Sequence, residues 1–275
     1  MALSVVDLYK KILPKTNCGD CGYSTCFAFA SMVVSEKLPL KNCPYIDPVV
    51  LESAQKELDA QYAGGKWTKK DMAADALQWA KERAASMKIM DVSERIGGRL
   101  IKDGDEDAIE LPYFRDTLII KSGTIVKTNG ETLNRWEQVF IYNHMAQGGK
   151  QLPTGKWKGL VDLPNTVSKM KSMKEHVESP LIEHFKGKSR KLCVAGEAIG
   201  GKVLHDDEVK ADVVLLFSPL PRIPVMLVFW DQDLEEGFGA EVKLLFDETI
   251  LEHLDIESIM FLSERIKQLL CGEAV

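Results

Sequence analysis

The sequence has no run of about 18 uninterrupted apolar residues, the length a membrane-spanning helix needs. Its longest candidate, residues 224–230, is only strand-length. It also lacks a positively charged start followed by an apolar stretch, so MALSVVDLYKKILPK does not read as a secretory signal. Positive charge is not in excess: 35 Lys and Arg stand against 41 Asp and Glu, a net charge of −6. Nucleic-acid backbones and anionic membranes both demand basic patches, so neither is expected as the main partner. Histidines are few, five in 275 residues, and none has the H-E-x-x-H spacing of a metalloprotease. There is no internal repeat, low-complexity tract, nucleophile elbow or Ser/His/Asp order, so no catalytic residue is assigned. We expect a soluble cytoplasmic protein with no membrane insertion.

Six cysteines are present, and their distribution is uneven. Four crowd into Cys18, Cys21, Cys26 and Cys43, whereas Cys193 and Cys271 stand far apart. A disulfide framework would be spread more evenly, and a cytosolic compartment disfavours disulfides in any case. The spacing is C-x2-C-x4-C-x16-C followed by Pro44. Four thiolates fit either a structural zinc or a [4Fe-4S] cluster. Four-cysteine zinc sites usually use two C-x2-C knuckles, and only one is present. A plant-type [2Fe-2S] centre reverses the order of the gaps, C-x4-C-x2-C. Three cysteines within nine residues and a fourth from a returning chain suit a cube, with zinc or metal-free redox thiols as the alternatives. Gly19 and Gly22 each follow a cysteine, where the backbone must turn tightly and present N–H groups to sulfur. Cys26 should start a helix, which puts its thiolate at a positive dipole end. The following FAFASMVV is apolar all round and should form a buried helix covering the site.

Along the chain, Ser4 caps a short helix that Pro14 stops, and Asp47 with Pro48 opens another that Gly64-Gly65 closes. A charged helix over residues 69–88 carries Met72, Ala76, Trp79 and Met87 at helical spacing and reads as a connector. TLIIKSGTIV is a hairpin around Ser122-Gly123, and residues 133–146 form a helix ending at Gly148-Gly149. Residues 150–171 read as an ordered loop, KLCVA as a strand, VVLLFSPLPRIPVMLVFW as two buried strands, and EVKLLF as a third. Asp255 caps a last amphipathic helix. These readings give an α+β fold. Residues 1–65 form a small, mostly helical cluster domain, 66–90 a connecting helix, and 91–275 a larger domain with a largely antiparallel sheet and flanking helices.

Residues 13–44, LPKTNCGDCGYSTCFAFASMVVSEKLPLKNCP, resemble the N-terminal [4Fe-4S] domain of the large (gamma) subunit of the corrinoid iron-sulfur protein of the acetyl-CoA decarbonylase/synthase pathway. They are more loosely similar to the cluster domain of the B subunit of the Rnf electron-transport complex. The resemblance implies that Cys18, Cys21, Cys26 and Cys43 are cluster ligands, in a protein of anaerobic metabolism. FSPLPRIPVMLVFWDQD and AEVKLLFDETILEHL look like a domain of unknown function found beside this motif in strict anaerobes. In the corrinoid protein a (β/α)8 barrel follows the cluster domain, and the hairpin signals here cannot build one. A bound corrinoid is therefore kept only as a second reading.

Three weaker patterns have bland explanations. Gly196 to Lys202 satisfies G-x4-G-K, but Val203 stands where a phosphate-binding loop needs a hydroxyl for Mg²⁺. Asp231 to Glu236 begins like a calcium loop but lacks the glycine at position six. His205-Asp206-Asp207-Glu208 are consecutive, and consecutive residues rarely point at one ion. The expectation is a one-electron protein that feeds a redox partner protein or a bound cofactor. Its rivals are a cofactor-binding protein whose cluster reduces a corrinoid, and an interaction protein with a structural cluster. Oligomeric state has no signal in the sequence.

Overall fold

The structure is a computed structural model and describes residues 3–64, 72–204, 210–233 and 235–273. Met1–Met72 and Ala73–Val275 pack as separate units. In the first, Ser4 and Asp7 form a reciprocal capping box on α1 (Val5–Asp7), which runs on as one π-helical turn, Leu8–Ile12. Thr25 caps α2 (Cys26–Glu36), which ends at Lys37 in the left-handed conformation. Asp47 accepts from the N–H groups of Val49 and Val50 at the start of α3 (Pro48–Ala63). Leu8, Phe29, Val33, Leu40 and Leu58 are fully buried between these helices. The helix α2 is not apolar all round in its environment, as its composition suggested. Phe29, Ala30, Val33 and Val34 share one arc, and Phe27, a quarter-turn away, is 49% exposed and meets Tyr9 edge-on at 5.5 Å.

The second unit opens with α4 (Met72–Ala85) and α5 (Ile89–Arg95). Residues 65–71, which hold Gly65 of the boundary glycines and the start of the expected connector, lie outside the described residues. Of the expected stripe, Ala76 and Met87 pack against the core, but Trp79 is 72% exposed, and the fully buried positions are Ala80 and Ala84. Four strands follow as an antiparallel meander: β1 (Arg99–Asp103), β2 (Glu106–Tyr113), β3 (Asp116–Lys121) and β4 (Thr124–Lys127). The hairpin at Ser122-Gly123 is present, but β1 and β2 had no clear signal. Their outward positions carry Arg99 opposite Glu110 and Lys102 opposite Asp107, charged pairs that mask the alternation.

Next come α6 (Arg135–Gln147), β5 (Trp157–Gly159), α7 (Val167–Met173), α8 (Ser179–Phe185) and α9 (Ser189–Ala198). The expected loop over 150–171 therefore contains a short strand and the start of a helix. Then follow β6 (Lys202–Leu204), β7 (Val213–Leu220), β8 (Ile223–Trp230), β9 (Glu241–Asp247), α10 (Ile250–His253) and α11 (Ile256–Cys271). The second sheet is fully antiparallel in the order β5-β9-β8-β7-β6. The Phe114 N–H donates to the Pro219 carbonyl at 3.1 Å, tying the two sheets together. Strand β8 is buried on both faces. Val225, Leu227 and Phe229 join the main core, and Met226 and Val228 join a smaller cluster with Val214, which is why the sequence shows a continuous apolar run. The fold is α+β, a helical unit followed by a larger unit of antiparallel sheets with flanking helices.

Candidate metal centre

The cysteine loop is shaped by backbone that only a few residues adopt cheaply. Gly19 and Gly22 have φ of +86° and +87°, and the Gly22 N–H closes a turn on the Gly19 carbonyl at 2.8 Å. Asn17, also left-handed at φ +53°, reaches across the loop and accepts from the Cys26 N–H at 2.8 Å. Thr25 Oγ1 accepts from the Ala28 N–H at 3.0 Å. These two side chains satisfy orphan donors of the first turn of α2 and fix Cys26 at its first position. Cys43 arrives on a single 3-10 turn, its N–H donating to the Leu40 carbonyl at 3.0 Å, while Gln55 of α3 accepts from the Leu40 N–H.

Cys26 and Cys43 are each 5% exposed and belong to the core of this unit, Cys21 is half-buried, and Cys18 is exposed. Burial pushes the Cys43 thiol up, offset in part by a hydrogen bond from the Tyr45 backbone. The negative charges of Cys21, Cys26 and Cys18 raise it further. Tyr45, on the rim, donates its hydroxyl to Asp20 at 2.5 Å, which raises the phenol because the carboxylate holds its proton. Among the described residues, no three His, Cys, Asp or Glu side chains converge on a point where a single ion would sit. A tetrahedral zinc with 2.3 Å bonds asks its thiolates to lie about 3.8 Å apart. A [4Fe-4S] cluster gives each thiolate its own iron and sets the four around one cube, at wider spacing than a single zinc.

The weaker patterns resolve into structural roles. KLCVA is helical, within α9, not a strand, so Gly196 lies inside that helix, Gly200 and Gly201 follow it, and Lys202 opens β6. A Cβ on Gly196 would lie 2.6 Å from Leu215, and one on Gly201 2.5 Å from the Phe217 ring. These glycines let α9 sit close on β7, and nothing there cradles a phosphate. Asp231 accepts from the Gly187 N–H and the Ser189 hydroxyl, and Asp233 accepts from the Glu235 and Glu236 N–H groups. Residues 205–208 lie outside the described residues.

The fold also joins two histidines that sequence spacing left apart. His144 and His253 are fully buried with ring centroids 5.5 Å apart. His144 Nδ1 donates to the His253 carbonyl at 3.2 Å, and His253 Nε2 to the Gln151 carbonyl at 3.1 Å. Burial pushes His144 down to about 3 and lowers His253. Each is thus neutral when folded and gains a proton on unfolding below about pH 6.5, so stability falls as pH drops from there toward 3. His144 alone should cost about 1.4 kcal/mol at pH 5.5. Urea midpoints of wild type and His144→Gln at pH 7.5 and 5.5 measure this. Equal pH dependence in the two proteins would show that His144 is not the group.

Comparison with known proteins adds to this geometry. Residues 13–45 match a family model described as "Putative Fe-S cluster", and residues 88–268 match one described as a domain of unknown function, DUF3786. The corrinoid/iron-sulfur protein large subunit of Moorella thermoacetica is 44% identical over 63 residues, 23% of this chain and 13% of that protein. The acetyl-CoA decarbonylase/synthase complex subunit gamma of Methanocaldococcus jannaschii is 24% identical over 231 residues, 78% of this chain and 43% of that protein. Subunit gamma 2 of the same complex from Methanosarcina thermophila is 28% identical over 148 residues, 53% of this chain and 27% of that protein. The matched parts span less than half the length of these relatives. No solved structure matches the chain.

Proposed function

The chain belongs to the DUF3786 family, and from that premise we propose that its N-terminal unit carries a [4Fe-4S] cluster on Cys18, Cys21, Cys26 and Cys43. In this reading the protein moves single electrons to a redox partner protein in anaerobic metabolism. The observation that carries the reading is the loop itself. Four cysteines, two of them rooted in an apolar core, sit in the segment that matches the iron-sulfur family model.

A bound cluster would supply a one-electron couple whose reduction adds one negative charge. The residues of the loop suit that change. Gly19 and Gly22 hold the left-handed turns that bring Cys18, Cys21 and Cys26 onto one loop, with open space where a side chain would stand. Phe29 and Leu40 close the inner side to water, and Cys18 and Tyr45 leave one edge exposed, the side from which an electron enters and leaves. Asp20 on that edge opposes added charge, and Lys15 and Lys41, both exposed, offset it within a screening length of about 10 Å.

The test is iron and sulfide analysis of anaerobically purified protein, then dithionite titration followed by low-temperature EPR. We expect a signal on reduction at a potential a few hundred millivolts below zero, the ferredoxin range. Iron present but silent on reduction would leave a structural cluster, and zinc in its place would remove the reading.

A second reading is favoured by one observation, the similarity to the Methanocaldococcus jannaschii gamma subunit, which runs over 231 residues, far past the cysteine segment. It makes the electron acceptor a corrinoid. Three concavities lined by described residues of the second unit measure about 270, 330 and 460 Å³. Drug-sized ligands already occupy about 300–1,000 Å³, and a corrin macrocycle is larger. None of these three has room for one, so in this reading a partner protein carries the corrinoid. Cobalt in the purified protein would contradict that assignment.

A further inference from the structure

We propose that the second unit binds a small organic monocarboxylate in the cavity between α4, α5, the β3–β4 turn and α6, held by the Lys81 ammonium and the Tyr142 hydroxyl. The proposal is independent of the cluster. The cavity measures about 270 Å³, or roughly nine water volumes, which suits a ligand of about ten heavy atoms. Its lining is divided. Met87, Ile89, Val92 and Met145 provide an apolar, deformable surface, and Lys81, Lys121 and Ser122 provide polar groups.

The charges of the lining select the ligand. Lys121 is already engaged by Asp103 at 2.7 Å. Glu82 accepts a hydrogen bond from Gln78 at 2.7 Å, and both line the cavity. Among the described residues no carboxylate pairs with Lys81. Its ammonium lies 5.8 Å from the centroid of the Tyr142 ring, and that ring contact is its only partner there. Tyr142 is 2% exposed, and its hydroxyl has no hydrogen-bond partner. A buried hydroxyl without a partner is costly, and such groups are rare in folded proteins. Lys81 and Tyr142 both line the cavity, so the unpaired cation and the orphan donor belong to one wall, and the proposed head group engages both.

The rest of the site narrows the class. One unpaired cation, with Glu82 nearby, matches a single negative charge and disfavours a phosphate dianion. The methionine and isoleucine lining calls for an apolar body behind the head group. A neutral amide of the same shape would accept the hydroxyl but leave Lys81 unpaired.

The test uses the full chain, with hexanoate as the probe, hexanamide as its neutral counterpart and inorganic phosphate as the dianion, by calorimetry at pH 7.5. Hexanoate should bind at least tenfold tighter than hexanamide, and phosphate should not compete. Lys81→Met should weaken hexanoate about tenfold and leave hexanamide unchanged. Tyr142→Phe should also weaken hexanoate about tenfold, yet the melting temperature of the ligand-free protein should hold or rise, because the variant removes an orphan hydroxyl. Iron content should be equal in wild type and both variants, which separates this result from the cluster. Equal affinity for acid and amide, competition by phosphate, no binding of hexanoate, or a Tyr142→Phe protein that melts lower with unchanged affinity would each overturn the proposal.

Discussion

Cys26→Ser and Cys43→Ser should each lower bound iron at least tenfold and loosen the N-terminal unit, whereas Cys193→Ser and Cys271→Ser should change neither. The core between α1, α2 and α3 is small: twelve buried apolar residues among those described, with Cys26 and Cys43 among the twelve. A unit of this size buries too little apolar surface to be more than marginally stable by itself. Metal-ligand bonds that form only in the folded state then contribute to folding directly, and losing a buried ligand removes both. A milder defect is expected for Cys18→Ser, because Cys18 is exposed and solvent or an added thiol can replace its sulfur. Cys193 on α9 and Cys271 at the end of α11 lie in the other unit, and burial raises both thiols, which keeps them protonated and inert. Iron and sulfide analysis of these five anaerobically purified variants, with proteolysis of the N-terminal unit as the stability probe, decides the matter. Full iron in Cys43→Ser would mean that the fourth ligand lies elsewhere.

The parts legible in the sequence were those encoded locally. The cysteine spacing, the glycines after Cys18 and Cys21, the Asp47-Pro48 helix start and the uninterrupted run of β7 and β8 are each written within about twenty residues. The first sheet was half legible, because β3 and β4 alternate cleanly while β1 and β2 alternate charge pairs with apolar residues. KLCVA misled because a short apolar run reads as strand or buried helix by periodicity alone. In the structure Leu192 is buried, Val194 is 60% exposed, and Gly196 packs on Leu215, a helical arrangement that the strand reading could not contain. The cavity at Tyr142 and the pairing of His144 with His253 were invisible because each joins segments far apart in the chain. Spacing motifs report only ligands that one loop brings together.

Arg265→Leu should destabilise the second unit by about 3–5 kcal/mol, through a contact whose partners lie 128 residues apart. Glu137, on α6, is 3% exposed and uses both carboxylate oxygens. Its Oε1 accepts from Arg265 Nε at 2.8 Å and from the Tyr113 hydroxyl at 2.7 Å, and its Oε2 accepts from the Asn134 N–H at 3.0 Å. Burial and the neighbouring Glu137 together raise the Tyr113 phenol far above its ordinary value, so Tyr113 remains a donor. Removing Arg265 leaves a buried carboxylate with two neutral donors and no counter-charge, the arrangement that makes broken buried pairs expensive. The double variant Glu137→Gln with Arg265→Leu should recover most of the loss, since a neutral amide needs no counter-ion and still accepts from Tyr113. The helix α6 also carries Tyr142 and Met145 into the cavity wall, so the same ion pair, by seating α6 on α11, sets the position of the proposed ligand site. Urea unfolding followed through Trp136, which stacks on Phe261 of α11 at 4.5 Å, reports directly on this helix pair. A single-variant loss below about 1 kcal/mol, or a double variant no better than Arg265→Leu, would show that the pair carries no net stabilisation and that α6 is held by its apolar contacts alone.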